Sequence, residues 1–224
     1  MITEFNKQLL ISEKEFNTFH LTTTKYCGNM KDVNERNVFC SNHSIDYQKI
    51  VFANQVHGTV VSKVSSKDCG NFIESCDGLI TNDKNVILCI FTADCMPIFM
   101  ASRDYSVVAL IHAGWRGLAC GIIESVLIRF KEDFGIIEQD VFTYIGPHIA
   151  QCCYEVGKDV KVTFNLSQSD KNLSLLKEAV TQLKDFGIKR IYSSNHCTCH
   201  ETEMFYSYRR EPTQNRMMSL ISIS

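Results

Sequence analysis

The chain has 224 residues, of which 45% are hydrophobic and 21% charged, and its formal net charge is -2. This balance is typical of a soluble globular protein with a sizeable core, and it favours neither a nucleic-acid nor a membrane-surface partner. The first residues lack a basic region followed by an apolar core, and no apolar run approaches the roughly 20 residues that span a bilayer. We therefore expect a cytoplasmic protein in which residues 1–224 form a single domain.

Strand-like apolar runs recur along the chain, and two segments have a helical period. The predicted strands are "IVFANQV", "NVILCIFTA", "SVVALIHA", "VFTYIG", "IKRIYSS", "MFYSY" and "MMSLISI". One helix is predicted where Ala119, Ile122, Ile123, Val126, Leu127 and Phe130 recur, and another where Leu173, Leu176, Val180 and Leu183 precede Gly187. Many strands with few, irregularly placed helices predict an α+β fold, in which mixed β-sheets are flanked by helices.

The 11 cysteines are odd in number and irregularly spaced. In a chain without an export signal, this pattern favours free thiols in a reducing compartment over disulfides. Most free cysteines are small buried apolar residues, so a functional cysteine has to be recognised by its neighbours.

Three predicted strands end in residues that can carry chemistry. His57 follows the first run, Asp94 and Cys95 follow the second, and His112 closes the third. Two imidazoles and a thiolate suit zinc, which keeps a fourth position open when it is catalytic. We expect Pro97 not to continue a central strand. Asp94 would face away from Cys95 in a regular strand, so it can join the site only where the chain bends.

The turn from His112 to Gly117 is predicted to join that third strand to a helix that starts at Leu118. Unpaired backbone N–H groups at the helix start, with Arg116 beside them, would suit an anion. Alternatively, Gly114 and Gly117 only permit a tight turn and Arg116 is solvated.

A second group of potential ligands lies in "SSNHCTCHE", which contains His196, Cys197, Cys199 and His200. Cys197 and Cys199 are closer together than in the usual zinc pattern, so a self-contained structural zinc site is not favoured. The remaining histidines, His20, His43 and His148, stand alone and are expected to be packed or at the surface.

Six blocks of the chain resemble, in order, the signature blocks of one bacterial family: "NQVHG", "CDGLITN", "TADCMP", "HAGWRGL", "IGPHIAQCCYEVG" and "FYSYRRE". The family was first described as multicopper polyphenol oxidase, or laccase-domain, proteins and later as zinc-dependent purine nucleoside enzymes. The resemblance covers about Asn54 to Ser224. It implies an α/β sandwich similar to the scaffold of Cys–His toxin hydrolases, and a mostly monomeric protein. It also implies phosphorolysis of adenosine, inosine, guanosine and methylthioadenosine, deamination of adenosine, and zinc held by His57, Cys95 and His112.

The N-terminal block "TTKYCGNM" departs from the family pattern, because Lys25 stands where an arginine is usual. Lysine cannot reproduce the bidentate fork of arginine. Near the end, "TQNRM" replaces a T-G-R-M pattern, so the position of Arg216 is also affected.

The substrates implied are purine nucleosides and phosphate. Arg116 is the expected phosphate ligand, with help from Arg209 or Lys25. Deamination would use zinc-activated water at purine C6, with Asp94 or Asp77 moving the proton. The aromatic residues Phe205, Tyr206 and Tyr208 either flank the purine or form a core strand.

Two other functions remain as alternatives. In a metal-free Cys–His hydrolase Cys95 would be the nucleophile and His112 the base, which leaves His57 without a role. A multicopper oxidase is disfavoured because the chain has seven histidines and no H-x-H pair, although a single His₂Cys site would also accept copper.

Overall fold

The computed structural model describes residues 2–5, 8–14 and 16–223, which form two mixed β-sheets. The first sheet has, in spatial order, β1 (Ile2–Phe5), β2 (Gln8–Ile11), β3 (Phe19–Thr23), β13 (Met217–Ser222), β8 (Ile87–Thr92), β4 (Ile50–Ala53) and β6 (Phe72–Ile73). The second has β12 (Arg190–Ser193), β11 (Val141–Ile145), β9 (Met96–Ser102), β10 (Val108–Ala113), β7 (Gly78–Thr81) and β5 (Val61–Lys63). Parallel pairs such as β4–β8 and β5–β7 occur beside antiparallel pairs such as β9–β10.

Helices cover the outer faces of the two sheets. They are α1 (Val33–Asn42), α2 (Trp115–Ala119), α3 (Ile122–Phe134), α4 (Lys158–Thr163) and α5 (Leu175–Asp185). The predicted α+β fold with mixed sheets is confirmed. Among the described residues, no helix is both long and apolar enough to cross a membrane.

Alternate residues of the central strands pack into different layers, because successive side chains on a strand point to opposite faces. In β10, Val108 and Leu110 join the apolar cluster between the two sheets, whereas Ala109 and Ile111 join the cluster under α3 and α5. Both faces of the strand are therefore buried, which explains its continuous apolar sequence. His112 has the parity of Val108 and Leu110, so its imidazole points toward the inter-sheet side at the end of β10.

The two predicted helical segments exist, but the first is interrupted. Gly121 has a left-handed φ of +88°, and it separates α2 from α3. Ala119 is exposed at the end of α2, whereas Ile122, Ile123, Val126, Leu127 and Phe130 form the buried face of α3. The periodicity located the buried face correctly, but it could not show that the glycine breaks the helix.

Three local predictions were wrong. The segment "MFYSY" is not a strand, because turn hydrogen bonds from the N–H groups of Met204 and Phe205 to the Glu201 carbonyl hold it instead. Pro97 lies inside β9, an interior strand, opposite His112 at the strand's second position. The turn before α2 is also shorter than predicted, since β10 runs to Ala113 and α2 begins at Trp115.

Candidate metal centre

The three predicted ligands lie together where the chain crosses from one sheet to the other. His112 ends β10, His57 lies in the loop after β4, and Cys95 lies in the turn between β8 and β9. Their ligand atoms are all within 4.8 Å of one another, and His57 Nε2 is 3.9 Å from Cys95 Sγ. His112 is buried, Cys95 is half-buried and His57 is exposed, so the group opens to solvent on the His57 side.

Unusual backbone conformations bring these side chains together. His57 and Asp94 have left-handed φ angles of +61° and +87°. Such a conformation costs a non-glycine residue about 1–3 kcal/mol, which surrounding contacts must offset. The bend at Asp94 allows the chain to turn from β8 into β9 with Cys95 directed at the two histidines. Gly114 leaves room for them, since a Cβ there would lie 3.1 Å from Cys95 Sγ and 3.4 Å from His57 Cδ2.

Asp77 is not one of the three ligands, but its carboxylate holds two of them in place through hydrogen bonds. Oδ1 accepts hydrogen bonds from His112 Nδ1 at 2.7 Å and from the His57 backbone N–H at 2.9 Å. Oδ2 accepts from the backbone N–H groups of Val56 at 3.1 Å and Gly58 at 2.7 Å. Asp77 therefore fixes the loop that carries His57 and leaves His112 Nε2 free to face Cys95. Asp77 is fully buried, which does not suit the proton-moving role considered for it.

The charges of this group reinforce one another. Burial by itself would raise the pKa of Cys95, but the neighbouring His112 charge and hydrogen bonds from both histidines lower it to about 6. Burial would likewise lower the pKa of His112, but Cys95 and Asp77 raise it to about 9. Hydrogen bonds from His112 and Gly58 outweigh the burial of Asp77 and keep the pKa of that carboxyl below its usual value. Near neutral pH the metal-free group is a thiolate beside an imidazolium.

This donor set fits a transition-metal ion such as zinc. Zinc–nitrogen and zinc–sulfur distances of about 2.0–2.3 Å place tetrahedral ligand atoms about 3.3–3.6 Å apart. The 3.9 Å between His57 Nε2 and Cys95 Sγ is within a few tenths of an ångström of that range. A carboxylate that holds the second nitrogen of a ligating histidine is also the usual support of a metal site. His57, Cys95 and His112 could therefore hold a metal ion.

Asp94 lies beside the group but faces a different segment. Its Oδ1 accepts a hydrogen bond from Thr198 Oγ1 at 2.8 Å, and its Oδ2 accepts from the Arg209 backbone N–H at 2.7 Å. The Asp94 carbonyl also accepts from the Ile149 N–H. The residue preceding Cys95 thus ties the metal centre to residues 149 and 198–209.

Arg116 and Arg209 both lie near Tyr154. The Arg209 guanidinium stacks 5.0 Å from the centre of the Tyr154 ring and donates from Nη1 to the Glu155 carbonyl at 2.6 Å. Arg116, exposed on α2, stacks 4.5 Å from the Trp115 ring. Burial raises the pKa of Tyr154 to about 12, and its hydroxyl also senses the charges of Cys95, Arg209, Asp94 and Arg116. Tyr154 therefore contacts Arg209 and lies within electrostatic reach of Cys95, Asp94 and Arg116.

The Lys25 side chain contacts the 202–203 turn. Its Nζ donates to the Thr202 carbonyl at 2.6 Å and lies 3.8 Å from Glu203 Oε2. Its ammonium is therefore held at the 202–203 turn. Arg216 is similarly engaged, with Nη1 donating to the carbonyls of Thr213 and Asn215.

The aromatic residues 205–208 and the potential ligands 196–200 differ from one another in burial and contacts. Phe205 is buried and packs 5.8 Å from the His196 ring, whereas Tyr208 is 55% exposed. His196 Nδ1 is hydrogen bonded to Glu201. Cys197 groups with Cys152 and Cys153 rather than with its neighbours in the sequence.

Sequence reasoning missed the roles of Asp77 and Tyr154. Both stand in quoted blocks, Asp77 in "CDGLITN" and Tyr154 in "CCYEVG", so the blocks marked their importance. Nothing in the residue types alone indicated that Asp77 accepts four hydrogen bonds or that Tyr154 stacks on Arg209.

Comparisons with known proteins show which sequences and structures this chain resembles. A protein of Aquifex aeolicus named purine nucleoside phosphorylase is 39% identical over 180 residues, covering 79% of this chain and 84% of its own. Purine nucleoside phosphorylase YfiH of Escherichia coli is 30% identical over 210 residues, with 88% and 83% covered. The crystal structure of YlmD from Geobacillus stearothermophilus matches with a TM-score of 0.90 at 27% identity, covering 99% of this chain and 98% of that one.

A family model described as multi-copper polyphenol oxidoreductase laccase matches residues 3–224, which confirms the resemblance seen in the motifs. With that match and relatives of 30–39% identity, the chain belongs to this laccase-like family.

Proposed function

We propose that the protein is a zinc-dependent purine nucleoside phosphorylase, which cleaves a purine nucleoside with phosphate to the free base and ribose-1-phosphate. The observation that carries the proposal is the convergence of His57, Cys95 and His112, braced by Asp77, in a chain whose curated relatives are named purine nucleoside phosphorylase. Adenosine, inosine, guanosine and methylthioadenosine are the proposed substrates.

The metal ligands and their support have separate tasks in this proposal. His57, Cys95 and His112 would hold the ion, which when bound supplies Lewis-acid activation at an open coordination position. Asp77 keeps His112 in the tautomer that presents Nε2, because its Oδ1 accepts the Nδ1 proton at 2.7 Å. The exposed side of His57 provides the entry for substrate.

Arg209 and Arg116 are the proposed phosphate ligands. Arg209 is anchored by Tyr154 and the Glu155 carbonyl, which leaves its remaining N–H groups for an anion. Both guanidiniums are exposed, and both lie within electrostatic reach of the Tyr154 hydroxyl next to Cys95. Planar guanidiniums bind phosphate oxygens in pairs, which suits the positioning of inorganic phosphate. Lys25 is proposed only as a more distant positive charge, because its ammonium binds Thr202 and Glu203.

Adenosine deamination is proposed as a second reaction of the same site, with Asp94 as the candidate proton carrier. Both Asp94 oxygens already accept hydrogen bonds, from Thr198 and from the Arg209 N–H. Asp94 would therefore have to release one of these bonds to take part. Its contacts support more directly a role in orienting Cys95 and Arg209.

A specific observation also favours a second candidate, a metal-free thiol hydrolase. Cys95, His112 and Asp77 are arranged as a thiolate, an imidazolium and a carboxylate that orients it, and the pKa of the thiol is about 6. This order of groups is that of a Cys–His nucleophilic site. His57, which lies 3.9 Å from the same sulfur, has no task in such a mechanism.

The name of the family suggests copper oxidation, but the site does not support a multicopper cluster. Among the described residues, only His57 and His112 contribute imidazoles to a group that could hold a metal. Multicopper clusters draw on many imidazoles, whereas a single His₂Cys site would take copper simply because copper binds nitrogen and sulfur ligands tightly.

The deciding experiment compares metal content and phosphate-dependent inosine cleavage in His57→Ala, Cys95→Ala and His112→Ala. As ligands, all three side chains are needed, so each variant should lose both metal and activity, and zinc should restore chelated wild type. Cys120→Ser and His200→Ala, which change exposed residues outside the group, serve as matched controls. Full activity after chelation, with His57→Ala active and the other two variants inactive, would overturn the metal role and favour Cys95 as a nucleophile with His112 as its base.

A further inference from the structure

A second group of thiols lies at a distance in sequence from the candidate metal centre. Cys152 and Cys153 are consecutive residues of one 3-10 turn, Gln151–Cys153, and Cys197 follows β12. The three Sγ atoms all lie within 4.8 Å of one another, and those of Cys152 and Cys153 are 3.6 Å apart. All three cysteines are free thiols. We refer to these three residues as the thiol cluster.

The thiol cluster is held in place by the backbone around it. The Ala150 N–H donates to Cys197 Sγ at 3.3 Å, and the Thr198 N–H donates to the His148 carbonyl at 3.1 Å. Glu201 Oε1 accepts from the Cys197 N–H at 2.8 Å, which fixes the other side of that residue. The sulfurs are therefore gathered before any ligand binds, which lowers the ordering cost of binding one.

Packing does not explain why these thiols are together. Cys197 is buried and Cys153 packs against the core under α3 and α5, but Cys152 beside them is exposed, so burial of apolar surface does not account for the third thiol. Exposed neighbouring thiols are prone to oxidation, and a bound metal ion would protect them. The donor set is three sulfurs, which suits soft ions such as Cu(I), and it has one ligand fewer than the four of a structural zinc site. A metal–sulfur distance of about 2.3 Å places three coplanar sulfurs about 4 Å apart, comparable to the spacing here.

We propose that Cys152, Cys153 and Cys197 form a second metal site, which binds one Cu(I) ion through three sulfurs. Binding exchanges the ion for the thiol protons, which pass to the buffer, and copper remains Cu(I), so no electron is transferred. The ion would join the 150–153 turn to the segment that carries Thr198. Ile149, which precedes that turn, donates its N–H to the Asp94 carbonyl, and Thr198 donates its hydroxyl to the Asp94 carboxylate, so occupancy would brace the turn that carries Cys95.

The test is an anaerobic titration of reduced, metal-free protein with Cu(I) supplied as its coloured bicinchoninate complex, whose bleaching measures transfer. Wild type should take up about two equivalents, one at each site, and Cys152→Ser and Cys197→Ser should each lose the second equivalent or bind it at least about tenfold more weakly. Cys120→Ser, which removes an exposed thiol outside the cluster, should match wild type. His57→Ala should affect only the other equivalent, which separates this site from the candidate metal centre.

Cys152 is exposed, so its replacement leaves the fold intact even where Cys197→Ser perturbs it; circular dichroism of both variants checks this. Uptake and affinity in Cys152→Ser equal to those of wild type would overturn the proposal. Complete loss of Cu(I) uptake in His57→Ala would also overturn it.

Discussion

The carboxylate of Asp77 is the feature whose removal should reveal how the site is held together. It accepts four hydrogen bonds, two at each oxygen, from His112, His57, Val56 and Gly58. In Asp77→Asn one oxygen becomes an NH₂ group, so either orientation of the amide places a donor against two N–H donors. A buried donor without a partner costs about 1–3 kcal/mol, so the variant should lose about 2–6 kcal/mol of unfolding free energy. Zinc affinity should also fall about 10–100-fold, the usual effect of losing such a support.

Two measurements check this prediction: denaturant unfolding in the presence of a chelator, and zinc competition against a chromophoric chelator. Asp83→Asn is the matched control. Asp77 lies just before β7 and Asp83 lies just after it, and Asp83 also accepts hydrogen bonds from backbone N–H groups, those of Ser66 and Asn85, each at 2.9 Å. That variant should keep its zinc affinity. If Asp77→Asn unfolds at the wild-type denaturant concentration and binds zinc as tightly, Asp77 does not support His112.

Three further predictions concern the space, charge and anion contacts of the site. Gly114→Ala should weaken zinc binding without unfolding the protein, because its Cβ would lie 3.1 Å from Cys95 Sγ. An unchanged zinc affinity in the competition assay would show that the site accommodates the added methyl group. In metal-free protein, alkylation of Cys95 by iodoacetamide, located by peptide mass spectrometry, should have its midpoint near pH 6 and be blocked by zinc. The ion pair of Cys95 and His112 contributes to the free energy of unfolding. This contribution is lost as pH falls through about 6, where Cys95 protonates, and as pH rises through about 9, where His112 deprotonates. A midpoint at the ordinary thiol value would contradict the pairing. Arg116→Ala should raise the KM for phosphate about 10–100-fold and the nucleoside KM less, whereas the exposed Arg103→Ala should change neither; a larger effect on nucleoside would move Arg116 to the purine side.

The proposed ligands illustrate how far sequence reasoning reaches. His57, Cys95 and His112 were each found at the end of a predicted strand, and the structure places their ligand atoms within 4.8 Å of one another. The inference worked because a buried strand has a recognisable apolar run, so the first polar residue after it is identifiable. Strands of the two sheets that end close together then bring such residues into contact without any specific spacing in the sequence.

Local patterns failed where a single backbone angle or a distant contact decided the outcome. The break at Gly121 depends on a left-handed φ that the apolar period of α3 does not report. The segment "MFYSY" has the composition of a strand, but hydrogen bonds to Glu201 and the burial of Phe205 hold it as turns. Pro97 lies at the second position of the interior strand β9, and the sequence pattern did not predict where this strand begins.

The sequence by itself determined the mixed α+β fold, the buried faces of α3 and α5, and the identity of the candidate ligands, because each is recorded in short-range periodicity or in ordered motifs. Only the tertiary structure decided that Asp77 supports His112, that Tyr154 stands beside Arg209, that Lys25 binds the 202–203 turn, and that Cys197 meets Cys152 and Cys153. These contacts join residues separated by 35 to 177 positions along the chain. The packing of two sheets and the loops between them brings such residues together, and no local preference of the chain encodes those distances.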